Sequence, residues 1–98
     1  MATIKIPTPL RGYVENKDVI EVEGNTVGEI LSNLITTYPK LKNYMYDNNG
    51  NLRTFIRLFA GDEDIDDLEG LDTVIEGRIE LNIVPAIAGG IYMVRKNI

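Results

Sequence analysis

The N-terminal quarter of the chain alternates polar and apolar residues with the period of a half-buried strand. Residues 3–7 alternate in this way, and Pro7 closes the run. A second alternating run, residues 18–23, places Val22 inward and Glu21 and Glu23 outward. The connection between the runs is too short for a crossover helix, so the two strands are predicted to pair antiparallel.

The apolar spacing then changes to the period of an α-helix. Thr26 and Glu29 stand three residues apart, the arrangement of a capping box, and Pro39 stops the helix after Tyr38. One apolar stripe follows at positions i, i+3, i+4, i+7 and i+8: Val27, Ile30, Leu31, Leu34 and Ile35. This stripe is predicted to face the core, and residues 41–46 are expected to add a short helical turn.

The second half of the chain predicts three further strands. Residues 54–60 are almost continuously apolar, as in a central strand, and a short strand is expected at Ile65. Residues 71–77 suit a short helical turn with Leu71 and Val74 inward. The last full strand spans residues 78–84, and the sheet is expected to end at Pro85, which has no N–H for a ladder.

The order strand, strand, helix, strand, short strand, strand is typical of an α+β domain. One main helix would pack on a mixed sheet of four or five strands, with the domain spanning residues 1–84. If the first and last strands pair in parallel at the centre of the sheet, the fold is a β-grasp, the ubiquitin-like arrangement.

The segment after Pro85 has the properties of a slender tail. Residues 85–90 end in Gly89 and Gly90, which lack a β-carbon and can thread a narrow channel. We predict a flexible tail that presents its backbone carbonyl to the active site of another protein. The same dipeptide is also a common hairpin signal, so a last packed strand at residues 91–94 remains an alternative.

Composition excludes several classes of function for these 98 residues. Ten cationic and fifteen acidic side chains give a net charge of −5, which argues against nucleic acid or an anionic membrane surface as partner. The absence of histidine and cysteine removes thiol nucleophiles, the usual general base and most zinc ligands. No leader and no apolar run of membrane length is seen. We expect a cytoplasmic, non-enzymatic partner protein that is monomeric when free.

An acidic segment follows the third predicted strand. Its carboxylates suggest a calcium loop, but the sixth position is Asp67 instead of glycine and the twelfth is Thr73 instead of glutamate. We therefore predict no metal site and a solvated turn. Partner docking is predicted to use the sheet face near the tail, helped by four acidic residues of this turn that attract a basic surface: Asp62, Glu63, Asp64 and Asp66.

Four stretches together resemble a known family. They are residues 6–11 after the first strand, residues 26–31 at the helix start, residues 62–65 with 70–73, and residues 83–90 with their Pro-Ala-x-Ala-Gly-Gly ending. On these stretches the chain resembles the ubiquitin-like sulfur carriers over residues 3–90. The resemblance is strongest to carriers of cysteine biosynthesis. It is more distant to the small subunit of molybdopterin synthase and to the thiamine-pathway carrier.

The resemblance implies a mechanism centred on the chain terminus. In this family a ubiquitin-activating-type enzyme adenylates the C-terminal glycine carboxylate with ATP and magnesium, so the carrier itself needs no cofactor. Sulfide or a persulfide displaces AMP, and the resulting thiocarboxylate donates sulfur to a synthase such as a cysteine-synthase-like enzyme. By this resemblance Gly90 is the adenylation and thiocarboxylate site, while Gly89 and Ala88 thread the channel.

The chain departs from the family pattern after the second glycine. Eight residues, 91–98, follow Gly90, whose carbonyl is then an amide that cannot be adenylated. The resemblance implies a precursor that a JAMM-type zinc metalloprotease cuts between Gly90 and Ile91. Two alternatives remain: a β-grasp scaffold without carrier activity, and a ubiquitin-like modifier or interaction module that is conjugated through Gly90.

Overall fold

The computed structural model describes residues 2–76 and 79–85, which form one mixed sheet with helices packed on it. The strands are β1 (Ala2–Lys5), β2 (Val19–Val22), β3 (Ile56–Ala60), β4 (Glu63–Asp64) and β5 (Glu80–Pro85). The α-helices are α1 (Val27–Thr37) and α2 (Lys40–Met45). Three 3₁₀ helices span Thr8–Tyr13, Ile65–Asp67 and Gly70–Asp72.

The sheet has five strands in the order β2-β1-β5-β3-β4. Strands β1 and β5 pair in parallel at its centre, and the other neighbouring pairs are antiparallel. The first and last strands therefore lie side by side, and the predicted β-grasp is confirmed.

Helix α1 forms as its sequence predicts. Thr26 Oγ1 accepts a hydrogen bond from Glu29 N (3.2 Å), while Glu29 Oε1 accepts one from Asn25 N (2.8 Å), one residue before the cap. The helix ends at Thr37, and Tyr38 N donates to Leu34 O (2.9 Å). The predicted stripe is buried at four positions and half-buried at the last: Val27, Ile30, Leu31, Leu34 and Ile35.

Three strand boundaries in the second half differ from the prediction. The last strand, predicted over residues 78–84, is β5 at Glu80–Pro85. The strand predicted over residues 54–60 begins only at Ile56, which closes a turn by donating its N–H to Arg53 O (3.0 Å). The short strand predicted at Ile65 is wrong, because it lies one step earlier at Glu63–Asp64. Asp64 Oδ1 accepts a hydrogen bond from Asp66 N (2.9 Å), and this cap starts a 3₁₀ helix at Ile65.

The predicted inward positions of Leu71 and Val74 are also wrong. These side chains are 43% and 52% exposed, whereas Thr73 and Ile75 are buried. The 3₁₀ helix ends at Asp72, and the chain then runs extended beside the entrance to α1. An extended backbone alternates with period two, so residues 73 and 75 share the inner side.

The core lies between the sheet and the helices. Fully or almost fully buried side chains come from every layer of the fold: Ile4, Leu10, Leu34, Leu41, Met45, Leu58 and Leu81. In β5, Leu81 and Ile83 point into this core, so Asn82 and Val84 point to the opposite, open face of the sheet. The side chains of β5 on the open face are thus only half-buried and lie outside the core.

Candidate functional site

Strand β5 carries the chain from the centre of the sheet to the start of the predicted tail. It is flanked by β1 in parallel, with Ile4 level with Leu81, and by β3 antiparallel, with Leu58 level with Ile83. Pro85 is its last described residue and lies level with Ile56. A central strand held on both sides gives the outgoing chain a defined position and direction.

The tail residues themselves lie outside the described residues. These are the predicted adenylation, threading and cleavage positions: Ala88, Gly89, Gly90 and Ile91. Pro85, the first residue of the predicted tail, is the last residue of β5. The remaining division into a tail that ends at Gly90 and an extension of residues 91–98 stays a prediction.

A groove of about 470 Å³ lies on the open face of the sheet beside β5. Side chains of three adjacent strands form its floor: Lys5 of β1, Phe59 of β3, and Asn82 and Val84 of β5. Further lining comes from residues after β1 and from the β3–β4 turn, namely Ile6, Pro7, Arg11, Gly61 and Asp62, together with Ile83. The groove thus adjoins the strand that leads to the tail.

Two hydrogen bonds hold the ends of this groove. Arg11 Nε donates to Ile6 O (3.0 Å), which ties the 3₁₀ helix at Thr8–Tyr13 to the residue that follows β1. Asn82 Nδ2 donates to Gly61 O (3.1 Å), which ties the β3–β4 turn to β5. Lys5 and Arg11 place positive charge on one wall, and Asp62 places negative charge on the other. Such a groove suits binding of an apolar segment with polar flanks.

Arg57 divides the four predicted docking acids into two groups. Its Nη2 forms a close ion pair with Asp64 Oδ2 and lies 3.9 Å from Asp66 Oδ2. The hydrogen bond from Arg57, helped by the N–H of Asp66, holds the pKa of Asp64 below its usual value. Asp62 lies on the β3–β4 turn and lines the groove, and Glu63 is the first residue of β4; both are exposed.

Sequence reasoning placed partner docking on the sheet face near the tail, but it identified neither the residues of the groove nor Arg57. The available signal was the alternation in β3, where Arg57 and Phe59 occupy the positions between buried Ile56, Leu58 and Ala60. That alternation assigns a face to each residue. It does not assign neighbours on adjacent strands, because these come from distant parts of the chain.

Within residues 2–76 and 79–85, no group of three or more acidic side chains is placed to hold a metal ion. None of the helices in this part of the chain is both long and apolar enough to cross a membrane.

The chain is similar to known carrier and modifier proteins over nearly its whole length. Sulfur carrier protein CysO of Mycobacterium tuberculosis is 32% identical over 90 residues, which cover 90% of this chain and 97% of that protein. In the crystal structure of the Amycolatopsis orientalis BexX/CysO complex, one chain is 31% identical with a TM-score of 0.81, covering 92% of this chain and all of the other. The solution structure of small archaeal modifier protein 1 (SAMP1) from Methanosarcina acetivorans is 25% identical with a TM-score of 0.81. The match covers 91% of this chain and 95% of that chain.

The family model that matches is that of the ThiS family, and it covers residues 4–90. The match begins in β1 and stops at the second glycine, so residues 91–98 lie outside it. The body observed here has the β-grasp topology, and the relative in M. tuberculosis bears the name of a carrier rather than of a catalyst. The chain belongs to the ThiS family.

Proposed function

We propose that this protein is a sulfur carrier of cysteine biosynthesis, made as a precursor. A JAMM-type metalloprotease removes residues 91–98, and the new terminal carboxylate of Gly90 is adenylated and converted to a thiocarboxylate. The observation that carries the proposal is the family match over residues 4–90, which ends on Gly89-Gly90. The similarity to sulfur carrier protein CysO supports the pathway.

The chemistry explains why the chain needs no histidine or cysteine. A carboxylate oxygen of Gly90 attacks the α-phosphorus of ATP, and pyrophosphate leaves. Sulfide then attacks the carbonyl carbon of the acyl adenylate, AMP leaves, and a thiocarboxylate remains. The partner enzyme supplies ATP, magnesium and stabilisation of the developing oxyanion. The carrier contributes a terminus slim enough to enter that site.

The adenylating partner docks on the open face of the sheet, at the groove beside β5. Because β5 leads to the tail, a partner that binds this groove also sets the direction of residues 85–90. The five residues 86–90 span about 17 Å when extended, so the partner's active site lies within that distance of the end of β5 at Pro85. Lys5, Arg11 and Asp62 provide charged contacts around the apolar Phe59 and Val84.

The test compares the full-length chain with a chain that ends at Gly90. Each is incubated with ATP, an adenylating enzyme of the same genome and a sulfur source, and its intact mass is measured. Only the trimmed chain should exchange oxygen for sulfur, because only it presents a carboxylate. Gly90→Ala in the trimmed chain should react poorly, because the added methyl group sits beside the reacting carbon. Failure of both forms with every such enzyme of the genome would refute the carrier function.

The likeness to small archaeal modifier protein 1 favours one second candidate, a modifier joined through Gly90 to lysines of other proteins. Mass spectrometry of proteins from the native cell distinguishes the two. Isopeptide-linked glycine pairs on lysines would support the modifier, and a free thiocarboxylate at Gly90 would support the carrier.

A further inference from the structure

We propose that two copies of this protein pair through β2 and join their sheets into one continuous sheet. In the part of the chain that the structure describes, β2 has a neighbour on one side only, β1. Ile6 N donates to Asp18 O (2.8 Å), and the register continues with Ile4 opposite Ile20. Hydrogen-bonded pairs alternate along an antiparallel ladder, so the N–H and C=O groups of Val19 and Glu21 face the open edge.

A two-fold arrangement centred on Ile20 uses all of these open groups. Val19 then lies opposite Glu21 of the second copy, and Glu21 lies opposite its Val19. Each of these two pairs exchanges two hydrogen bonds, which gives four in all.

The two neighbouring registers are less favourable for reasons visible in the structure. Centring on Val19 would pair Glu21 with Lys17, whose N–H already donates to Val14 O (3.2 Å). Centring on Glu21 would place two glutamates directly opposite each other, which is destabilising. It would also need Glu23, whose C=O already accepts a hydrogen bond from Asn33 Nδ2 (2.8 Å).

The charges at the ends of β2 select the same register. With Ile20 at the centre, Lys17 of each copy lies across from Glu23 of the other, an opposite-charge pair at both ends. Both side chains are exposed, and the present contacts of Lys17, with Glu15 (3.5 Å) and Tyr38 Oη (3.3 Å), are surface contacts. The open edge of β2 is therefore complementary to the same edge of a second copy that is rotated by 180°.

The structure also leaves space for an added strand. A groove of about 400 Å³ separates β2 from α1, with Ile20 and Val22 on one wall and Asn33, Thr36 and Thr37 on the other. The groove beside β5 is formed by β1, β3 and β5, so pairing through β2 does not use it. Pairing through β2 therefore does not depend on the proposed function, and a dimer would offer two separate docking grooves, one in each copy.

The contact is small for a protein interface, so the dimer should be weak. Interfaces below about 1,200 Å² are typical of transient association, and we expect a dissociation constant between about 0.1 and 1 mM. At lower concentrations the protein would be the monomer that its sequence predicts.

Sedimentation equilibrium of the full chain over about 0.05 to 1 mM tests the proposal. The average mass of the wild type should rise towards that of a dimer. Lys17→Glu alone and Glu23→Lys alone should each weaken association about tenfold, because each places like charges at both ends. An equimolar mixture of the two variants should associate again, since every end pair is then of opposite sign.

Glu63→Lys is the matched control, because it changes the net charge as Glu23→Lys does but lies on β4, at the other edge of the sheet. It should associate as well as the wild type. A wild type that stays monomeric over the whole range would overturn the proposal. So would a mixture of the two variants that fails to associate, or a Glu23→Lys chain that associates normally.

Discussion

At Gly24 the backbone runs so close to α1 that no side chain fits. Its φ is +144°, and a β-carbon built there would lie 2.9 Å from both Ile30 N and Ile30 Cγ1. Gly24→Ala should therefore lower the free energy of unfolding by about 1–3 kcal/mol, through strain and a displaced helix start. Urea denaturation measures the loss.

Gly12→Ala is the control for that change. An added β-carbon at Gly12 meets nothing within 4 Å, so the unfolding free energy should stay within about 0.5 kcal/mol of the wild type. Equal losses in both variants would mean that the close approach at Gly24 is not the cause.

Arg57 and Asp64 make a second prediction at the scale of single residues. Arg57→Gln removes the main cause that lowers the pKa of Asp64, so that pKa should rise towards its ordinary value of 3.8. A carboxyl group whose pKa is lowered by folding stabilises the protein above its unfolded pKa and loses this contribution as the pH falls through its folded pKa. The stability difference between wild type and variant should therefore be largest near neutral pH and shrink below the ordinary pKa of aspartate.

An NMR titration of the Asp64 carboxyl carbon, together with unfolding measured against pH, checks this prediction. Lys42→Gln serves as control, since it removes one positive charge from an exposed position on α2. A pKa of Asp64 that is the same in Arg57→Gln and in the wild type would contradict the assigned cause.

At the scale of elements, α1 supplies the buried side chains of its apolar stripe to the core. Leu34 is completely buried in the stripe that faces the sheet, so Leu34→Ala should destabilise the protein by about 2–5 kcal/mol. Leu71→Ala removes the same atoms from a side chain that is 43% exposed and should cost less than about 1 kcal/mol. Thermal and denaturant unfolding of the two variants compare them directly. Similar losses would show that Leu71 is packed more tightly than its exposure indicates.

On the scale of the whole molecule, the position of its negative charge should matter more than its total. Asp62→Asn combined with Glu63→Gln removes two adjacent exposed charges, one that lines the groove and one at the start of β4. Association with the proposed adenylating partner should slow severalfold at low salt, and the difference should fade once salt screens the charges. Stopped-flow mixing at several salt concentrations measures the rates.

The matched control removes two charges elsewhere. Glu69→Gln combined with Asp72→Asn makes the same change in net charge, in the exposed segment that packs against α1. Its association should remain near that of the wild type. An equal slowing by both double variants would assign the effect to net charge and not to the turn.

The sequence by itself determined the elements whose signals are local. The start of α1 follows from Thr26 and Glu29, its end from Pro39, and its buried side from apolar spacing, because each depends on contacts within about one helical turn. The sulfur-carrier role was indicated by the family resemblance that ends on Gly89-Gly90, and the chemistry at Gly90 stays a prediction. Even the β-grasp order could be inferred from the succession of elements.

Only the tertiary structure decided which distant residues meet. Val74 faces solvent because the segment after Asp72 runs extended beside the entrance of α1, a partner more than forty residues earlier in the chain. The groove combines side chains of three strands, and Arg57 pairs with two of the four acidic residues predicted for docking. Which N–H and C=O groups of β2 face the open edge depends on its register with β1. Such contacts are set by packing between elements, and a local pattern of residues contains no information on which elements become neighbours.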